Sequence, residues 1–212
     1  MENLTLLIPA KNESESLPKV IKEINNLNCK KKVILRKEDT STINAIKDLD
    51  VEIIHQNNHG YGNALINGIN STNTEYFCIF NADGSFNPKE ILDFMTLLKK
   101  EKKDFVFASR YQKNSGSDDD TILTYIGNKF FTLLGKILFR LPITDILYTY
   151  VIGKTEKAKN LNLNHQDFAF CVELPIKIKK NKMNMISASS YERKRIAGKK
   201  KVSPFIDGVR RL

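Results

Sequence analysis

Short β-favouring runs alternate with amphipathic helical patterns through the first half of the chain, and this alternation limits the fold more than any other feature of the sequence. Leu4 to Pro9 reads as a strand, and Ser14 to Leu27 as a helix with Leu17, Val20, Ile21, Ile24 and Leu27 on one face. Lys32 to Leu35, Val51 to Ile54, Tyr76 to Phe80 and Asp104 to Phe107 read as further strands. Helices are expected between them, one ending near Lys47, one opening at Gly60 to Gly62, and one starting at Pro88, where the missing N–H costs nothing. Such a repeat predicts an α/β fold with a mostly parallel central sheet and helices on both faces. The run Tyr76 to Phe80 is apolar throughout, as suits a strand covered on both sides, and it leads into Asn81-Ala82-Asp83-Gly84-Ser85. In an open parallel sheet ligands bind at strand carboxyl ends, so the oxygens of Asn81 and Asp83 are candidates for a hard divalent cation holding phosphates. By themselves these residues describe an Asx turn after a strand better than they describe a metal site.

Past Arg110 the pattern changes. Asn114 to Asp120 reads as a mobile loop with a solvated acidic run, and Thr121 to Leu141 as an apolar helix. That helix has two readings, a buried core helix, which is the commoner case, or one leaning on lipid. A helix near Phe170 to Lys182, a strand from Met183 to Ala188 and a basic tail follow.

The 212 residues are enough for one sizeable core, and no repeat or low-complexity linker divides them. The expected organisation is one domain over 1–212, with 1–110 the part in which strands and helices alternate and 111–212 a second part ending in a basic tail. The amino terminus is too short in apolar residues for a signal peptide, which leads to the expectation of a cytoplasmic protein with room for peripheral contact at the inner face of the membrane. Cys29, Cys78 and Cys171 are odd in number and lack metal spacing, and His55, His59 and His165 form no zinc pattern.

A net charge of +10 calls for an anionic partner: a nucleic acid, an acidic membrane surface or a phosphorylated substrate. Nucleic acid is disfavoured, because no recognisable binding motif and no basic-aromatic interleaving accompany the charge. A dinucleotide fingerprint is rejected too, since Leu65 stands at the third glycine position after Gly60 and Gly62. Neither a phosphate-binding Gly-Lys-Ser/Thr loop nor a nucleophile elbow is present.

Four loops at strand carboxyl ends remain, Pro9 to Glu13, Glu38 to Ser41, Gly60 to Asn63 and Asn81 to Ser85. Ile8-Pro9-Ala10-Lys11-Asn12-Glu13, the corner Glu38-Asp39-Thr40-Ser41, His59 to Leu65, and Asn81-Ala82-Asp83-Gly84 stand in one order, with Tyr191 to Pro204 and Asp207-Gly208 late in the chain. In that order they resemble the motifs of family 2 glycosyltransferases of GT-A fold, and within them the polyprenyl-phosphate sugar transferase branch. The resemblance spans nearly the whole chain. It implies inverting transfer from a nucleoside-diphosphate sugar to a polyprenyl phosphate or other anionic acceptor, with Mg²⁺ or Mn²⁺ on the diphosphate. Pro9, Ala10, Asn12, Glu13, Asp39, Gly62, Asn81, Ala82 and Asp83 would then line the nucleotide-sugar site, with Asp39 accepting from the base. Asp83 would be the principal metal ligand, helped by Asn81 and Ser85. Arg110, Arg195 and Lys201 would hold donor or lipid phosphate. A phosphate acceptor needs no strong base; for a hydroxyl, Asp145 and then Glu173 are the candidates, each with a plain structural reading as well. The sequence departs from the family pattern at Asn81, where an aspartate is usual, at Glu38, and after Asp145, where Gly-Phe-Arg is absent. Asn81 keeps an oxygen but loses a charge, which leaves open a lapsed domain that binds nucleotide sugar, lipid phosphate or a partner protein without turnover; on either reading peripheral contact with an acidic membrane or a membrane partner is expected.

Overall fold

The structure, a computed structural model, describes residues 1–197. Along the chain run β1 (Leu4–Pro9), α1 (Leu17–Glu23), β2 (Lys30–Leu35), α2 (Thr40–Ile46), β3 (Glu52–His55), α3 (Tyr61–Ser71), β4 (Tyr76–Ile79), α4 (Glu90–Lys100) and β5 (Phe105–Ser109). They continue with β6 (Gly116–Ser117), α5 (Ile122–Phe139), β7 (Val151–Lys154), α6 (Thr155–Lys159), α7 (Phe170–Lys180), β8 (Met185–Ser189) and β9 (Tyr191–Glu192). A seven-stranded sheet has the order β3-β2-β1-β4-β7-β5-β8, and β6 pairs with β9 in a small second ladder. β1 is parallel to both β2 and β4, β2 is parallel to β3, and β5 is parallel to β8. The expected α/β fold with a mostly parallel sheet is what forms.

Period-two alternation divides the sheet's side chains between two cores. Leu4, Leu6 and Ile8 pack on one face with Leu17, Val20, Ile91 and Phe94, while Leu7 packs on the other with Leu65, Ile69, Phe170 and Leu174. Continuous apolar strands therefore serve both faces, as a covered parallel sheet requires.

Three expectations change. α1 is shorter than its apolar pattern, because Pro18 is tolerated only in the first turn and the Asn25-Asn26 pair favours turn over helix. β7 was not expected at all. It enters antiparallel between β4 and β5, and its register sets Gly153 opposite both Phe77 and Phe105. Those two rings meet edge to face at 6.5 Å across the glycine, and a Cβ on Gly153 would lie 2.3 Å from Phe105 Cδ1. The requirement for glycine is steric, and glycine is also what weakens the strand signal in the sequence. Finally, α5 is an exposed helix and not a core helix.

Gly153→Ala forces the buried Phe105 ring to shift. The expected result is a loss of about 1–3 kcal/mol in urea unfolding, the usual cost of overpacking, with the far-ultraviolet dichroism of the folded state retained.

Candidate functional site

Because β1 pairs in parallel with β2 on one side and β4 on the other, the chain leaves β1 at the point where the strand order reverses. The loops after β1, β2 and β4 thus share one edge. The first two are tied to each other: Ala10 N donates to Ile34 O at 2.9 Å, Asn12 N to Asp39 Oδ2 at 2.6 Å, and Glu13 N to Thr42 Oγ1 at 2.9 Å. Asn12 sits at φ 52°, a left-handed geometry that asparagine tolerates. Asp39 also caps α2 by accepting from Thr42 N at 3.2 Å and from the Ser41 hydroxyl at 3.1 Å. Burial pushes the Asp39 carboxyl up, but these donors outweigh it and hold the group below the usual carboxylate value. The Thr42 hydroxyl is a further donor to this carboxylate, so Asp39 is held between the two loops by several donors. Glu13 accepts from the Ser16 hydroxyl at 2.6 Å.

The glycine-containing corner before α3 is built by close approach. A Cβ at Gly60 would stand 2.0 Å from Gln166 O, and one at Gly62 would stand 2.2 Å from His165 O. Asn63 N donates to Gln166 O at 2.8 Å, and Tyr61 stacks on Phe168 with centroids 4.9 Å apart. Gly62 therefore makes room for the 162–169 loop. Glu173 holds that loop from α7, accepting from Asn164 N at 3.0 Å and His165 N at 2.9 Å while pairing with Lys177 at 2.8 Å. Its carboxyl lies below the ordinary value because Lys177 and the two amides offset the effect of burial. Glu173, a candidate base, thus serves in this structure as the anchor of that loop.

At the end of β4, Asp83 Oδ1 accepts from Ser85 N at 3.0 Å, and Asn81 Nδ2 lies 3.3 Å from Ser85 Oγ. Gly84 has φ 83°, and a Cβ there would meet Ile196 Cδ1 at 2.5 Å. Residues 193–196 form a strap across this turn. Arg193 N donates to Ser85 O at 2.8 Å and Ile196 N to Asp83 O at 2.7 Å. The Arg193 guanidinium pairs with Glu23 at 2.7 Å and donates to the carbonyls of Gly84 and Phe86. Arg195 stands 3.5 Å from Asp83 Oδ2 and 2.8 Å from Asp119 Oδ2. The acidic run, expected to be solvated, is instead engaged: Asp118 accepts from the Tyr191 hydroxyl at 2.7 Å, and Asp120 from the Tyr111 hydroxyl at 2.7 Å.

Arg110 and Asp145 are brought together. They hold each other in the interior, with Nε to Oδ2 at 2.7 Å and Nη2 to Oδ1 at 3.0 Å, and Arg110 Nη1 reaches Glu192 Oε2 at 3.2 Å. Asp145 is wholly buried and Arg110 nearly so, its guanidinium 4.6 Å from the Tyr148 ring centroid. Burial alone would push the guanidinium's pKa down, but the two carboxylates more than offset it, so the arginine stays charged. In this arrangement Arg110 grips the Asp145 carboxylate through both of its oxygens. Lys201 lies outside the described residues.

No group of three or more metal-ligating side chains occurs among the described residues. Asp83, Asn81 and Ser85 together offer one carboxylate and neutral oxygens. That set fits Mg²⁺ or Mn²⁺ carried in with phosphate oxygens, and it does not fit an all-protein cage.

Several contributors escaped sequence reasoning. Phe80, Phe86, Phe94, Tyr148 and Tyr150 form an aromatic cluster beneath the Asn81–Ser85 turn, with Phe86 stacked on Tyr150 at 4.4 Å and the Tyr150 hydroxyl donating to Asn87 O at 2.7 Å. Glu90 anchors the start of the strap, accepting from the Ser190 hydroxyl at 2.6 Å and Tyr191 N at 3.0 Å. The only hint in the sequence was the density of aromatics around the turn.

A parallel sheet with cross-tied polar loops at a switch point, and an acidic turn after its central strand, is the architecture of GT-A glycosyltransferases. Over residues 5–161 the chain matches the family model described as glycosyl transferase family 2, and it belongs to that family. It is 24% identical over 206 residues to a UDP-N-acetylglucosamine–dolichyl-phosphate N-acetylglucosaminyltransferase of Methanococcus voltae, covering 85% of this chain and 81% of that one. Among solved structures it is similar to glucosyl-3-phosphoglycerate synthase of Mycobacterium tuberculosis, determined in complex with Mn²⁺, UDP and glucosyl-3-phosphoglycerate. There the TM-score is 0.70 at 13% identity, with 97% of this chain and 74% of that one covered. Mannosyl-3-phosphoglycerate synthase of Rubrobacter xylanophilus gives a TM-score of 0.69 at 15% identity over 91% of this chain and 67% of that one.

Asp145→Asn leaves a buried Arg110 short of its main counter-charge, and chemical denaturation should show a loss of about 3–5 kcal/mol. For Asp39, whose folded pKa is depressed, the stabilisation is complete above the unfolded value of about 3.9 and disappears as pH falls through the lower folded one. The stability advantage of the wild type over Asp39→Asn should therefore be constant near neutrality and shrink only below about pH 4.

Proposed function

We propose that this family 2 glycosyltransferase moves a sugar, with inversion, from a nucleoside-diphosphate sugar to a polyprenyl phosphate. The observation that carries the reading is the Asp83 carboxylate. It is fixed by Ser85 N at the carboxyl end of β4, it shares an edge with the Asn12–Asp39 tie, and the cation Arg195 already stands 3.5 Å away. A site that holds its carboxylate against a cation also suits a divalent ion with diphosphate oxygens. On this reading Pro9, Ala10, Asn12, Glu13 and Asp39 receive the nucleoside, with Asp39 accepting from a base N–H. UDP-N-acetylglucosamine is the first donor to test, being that of the relative from Methanococcus voltae.

The contacts of the two expected bases support a phosphate acceptor. Asp145 is committed to Arg110 and Glu173 to Lys177 and two amides, so neither is positioned to deprotonate a hydroxyl. A phosphate monoester is an anion at neutral pH without help. One of its oxygens attacks the anomeric carbon from the face opposite the diphosphate; the new carbon–oxygen bond forms as the bond to the diphosphate breaks, and configuration inverts. When bound, the divalent ion offsets charge on the departing diphosphate. Asp83 and Asn81 hold that end of the donor, and Arg195 supplies a second cation beside it.

Thermal unfolding with UDP-N-acetylglucosamine and Mn²⁺ tests the donor half. A donor at a hundred times its Kd should stabilise the native protein by about 2.7 kcal/mol, and Asp83→Ala should remove the Mn²⁺-dependent part. Equal stabilisation of wild type and Asp83→Ala, or none from UDP-, GDP- or dTDP-sugars, contradicts the assignment. Donor binding without sugar transfer to polyprenyl phosphate would identify the lapsed binding domain that Asn81 leaves open.

A further inference from the structure

α5 is inverted relative to an ordinary surface helix. Its contacts with the domain run through small and polar residues, with Gly127, Asn128, Thr132 and Gly135 buried. Asn128 Nδ2 donates to the Tyr111 hydroxyl at 2.8 Å, and the Thr132 hydroxyl accepts from Ile146 N at 3.2 Å. A Cβ at Gly135 would come within 3.0 Å of Ile146 Cδ1. The large apolar side chains face outward: Ile122 is 83% exposed, Ile126 57%, Phe130 56%, Leu133 54% and Ile137 66%. Spaced four, four, three and four residues apart, they form one stripe along the helix. A helix facing water carries the opposite pattern, and an apolar stripe of this size marks an interaction surface.

Charge identifies the partner. Between Ile122 and Phe139 there is no acidic residue, while Lys129, Lys136 and the following Arg140 flank the stripe. Lys129 Nζ lies 4.6 Å from the Tyr111 ring centroid and 5.5 Å from that of Tyr125. Beyond the carboxyl end of α5, Phe139, Val172 and Ile176 line an open groove with Lys180 and the Glu173–Lys177 pair. Apolar residues bordered by tyrosine and lysine suit a helix lying between the acyl chains and anionic headgroups of a bilayer. A second copy of the chain would set basic flank against basic flank on a protein of net charge +10, which opposes self-pairing.

At 18 residues α5 approaches the length of a membrane span. Side bonds from Asn128 to Tyr111 and from Ile146 to Thr132 tie its middle to the domain, which suits a helix lying along an interface and not one crossing it. Asp119, two residues before that cap, pairs with the same Arg195 that faces Asp83. The stripe thus sits a short step along the chain from the proposed diphosphate corner.

We propose that α5 docks the enzyme onto a bilayer containing acidic lipids and so presents a lipid-borne phosphate to the crevice; the second clause rests on the acceptor reading above. The test is co-sedimentation of the full chain with phosphatidylcholine vesicles, with and without phosphatidylglycerol. Wild type should bind the anionic vesicles and release partly as salt screens the basic flanks. Ile126→Glu combined with Phe130→Glu should bind at least about tenfold more weakly, with unchanged thermal unfolding and unchanged stabilisation by UDP-N-acetylglucosamine with Mn²⁺. Unaltered vesicle binding by the double variant would assign the contact to the basic tail and overturn the proposal. Absence of vesicle binding by wild type overturns it too, as does a dimer in solution that the double variant dissolves. If docking depends on α5 but no nucleotide sugar stabilises the protein, the docking face stands and the transfer reading falls; the reverse result leaves the donor assignment and removes the docking face.

Discussion

Parallel pairing of β1 with both β2 and β4 is the constraint on which the rest of the structure depends. It sends three chain crossings out at one edge of the sheet, and it leaves Asn12, Asp39 and Asp83 on loops that share that edge. Buried apolar residues on both faces fix the register, because a slip of one position would move Leu6 and Ile8 out of one core and Leu7 out of the other. The polar work then falls to loops whose backbone is already held. Asp39 orders the first loop by gripping Asn12 N while capping its own helix, so a single carboxylate sets the relative position of two loops.

Charge pairing does for the second half of the chain what strand pairing does for the first. Arg110, at the end of β5, draws together Asp145 and Glu192, and so joins the segment after α5 to the start of the strap. From there residues 193–196 cross the Asn81–Ser85 turn, held by backbone bonds to Ser85 and Asp83 and by the Arg193–Glu23 pair. Gly84 is needed at this crossing for two reasons, its φ of 83° and the Ile196 side chain pressed against it. Arg195 then lies between Asp83 and Asp119 and couples the turn to the base of α5. The buried cluster is costly to break from one side, which suits a scaffold element better than a group that must change protonation during turnover.

Most of the sheet was legible because hydrophobic periodicity is a local property. Tyr76 to Phe80 announces a doubly covered strand, and the Asn-Ala-Asp-Gly turn beyond it announces an exit. β7 was not legible, since its four residues include Gly153 and its place between β4 and β5 depends on two distant phenylalanines. The candidate site divides in the same way. The ties of Asn12, Asp39 and Asp83 involve residues already expected at strand ends, whereas the burial of Asp145 by Arg110 joins positions 35 residues apart and has no signature in either stretch alone. The loop-holding contacts of Glu173 were hidden for a related reason, because its partners there are backbone amides, which no side-chain pattern announces. The acidic run at Asp118 to Asp120 looked solvated because Tyr191 and Arg195, which engage it, come more than seventy residues later.

The central claim is that Asp83 marks where the donor's diphosphate and its metal come to rest. A crystal structure with UDP and Mn²⁺, using anomalous scattering from manganese, addresses it most directly. The account predicts one manganese peak in contact with both the Asp83 carboxylate and the diphosphate oxygens, with the uracil against the Asn12–Asp39 loops. A manganese peak away from Asp83, or a nucleotide bound outside the crevice at the end of β1, would contradict it.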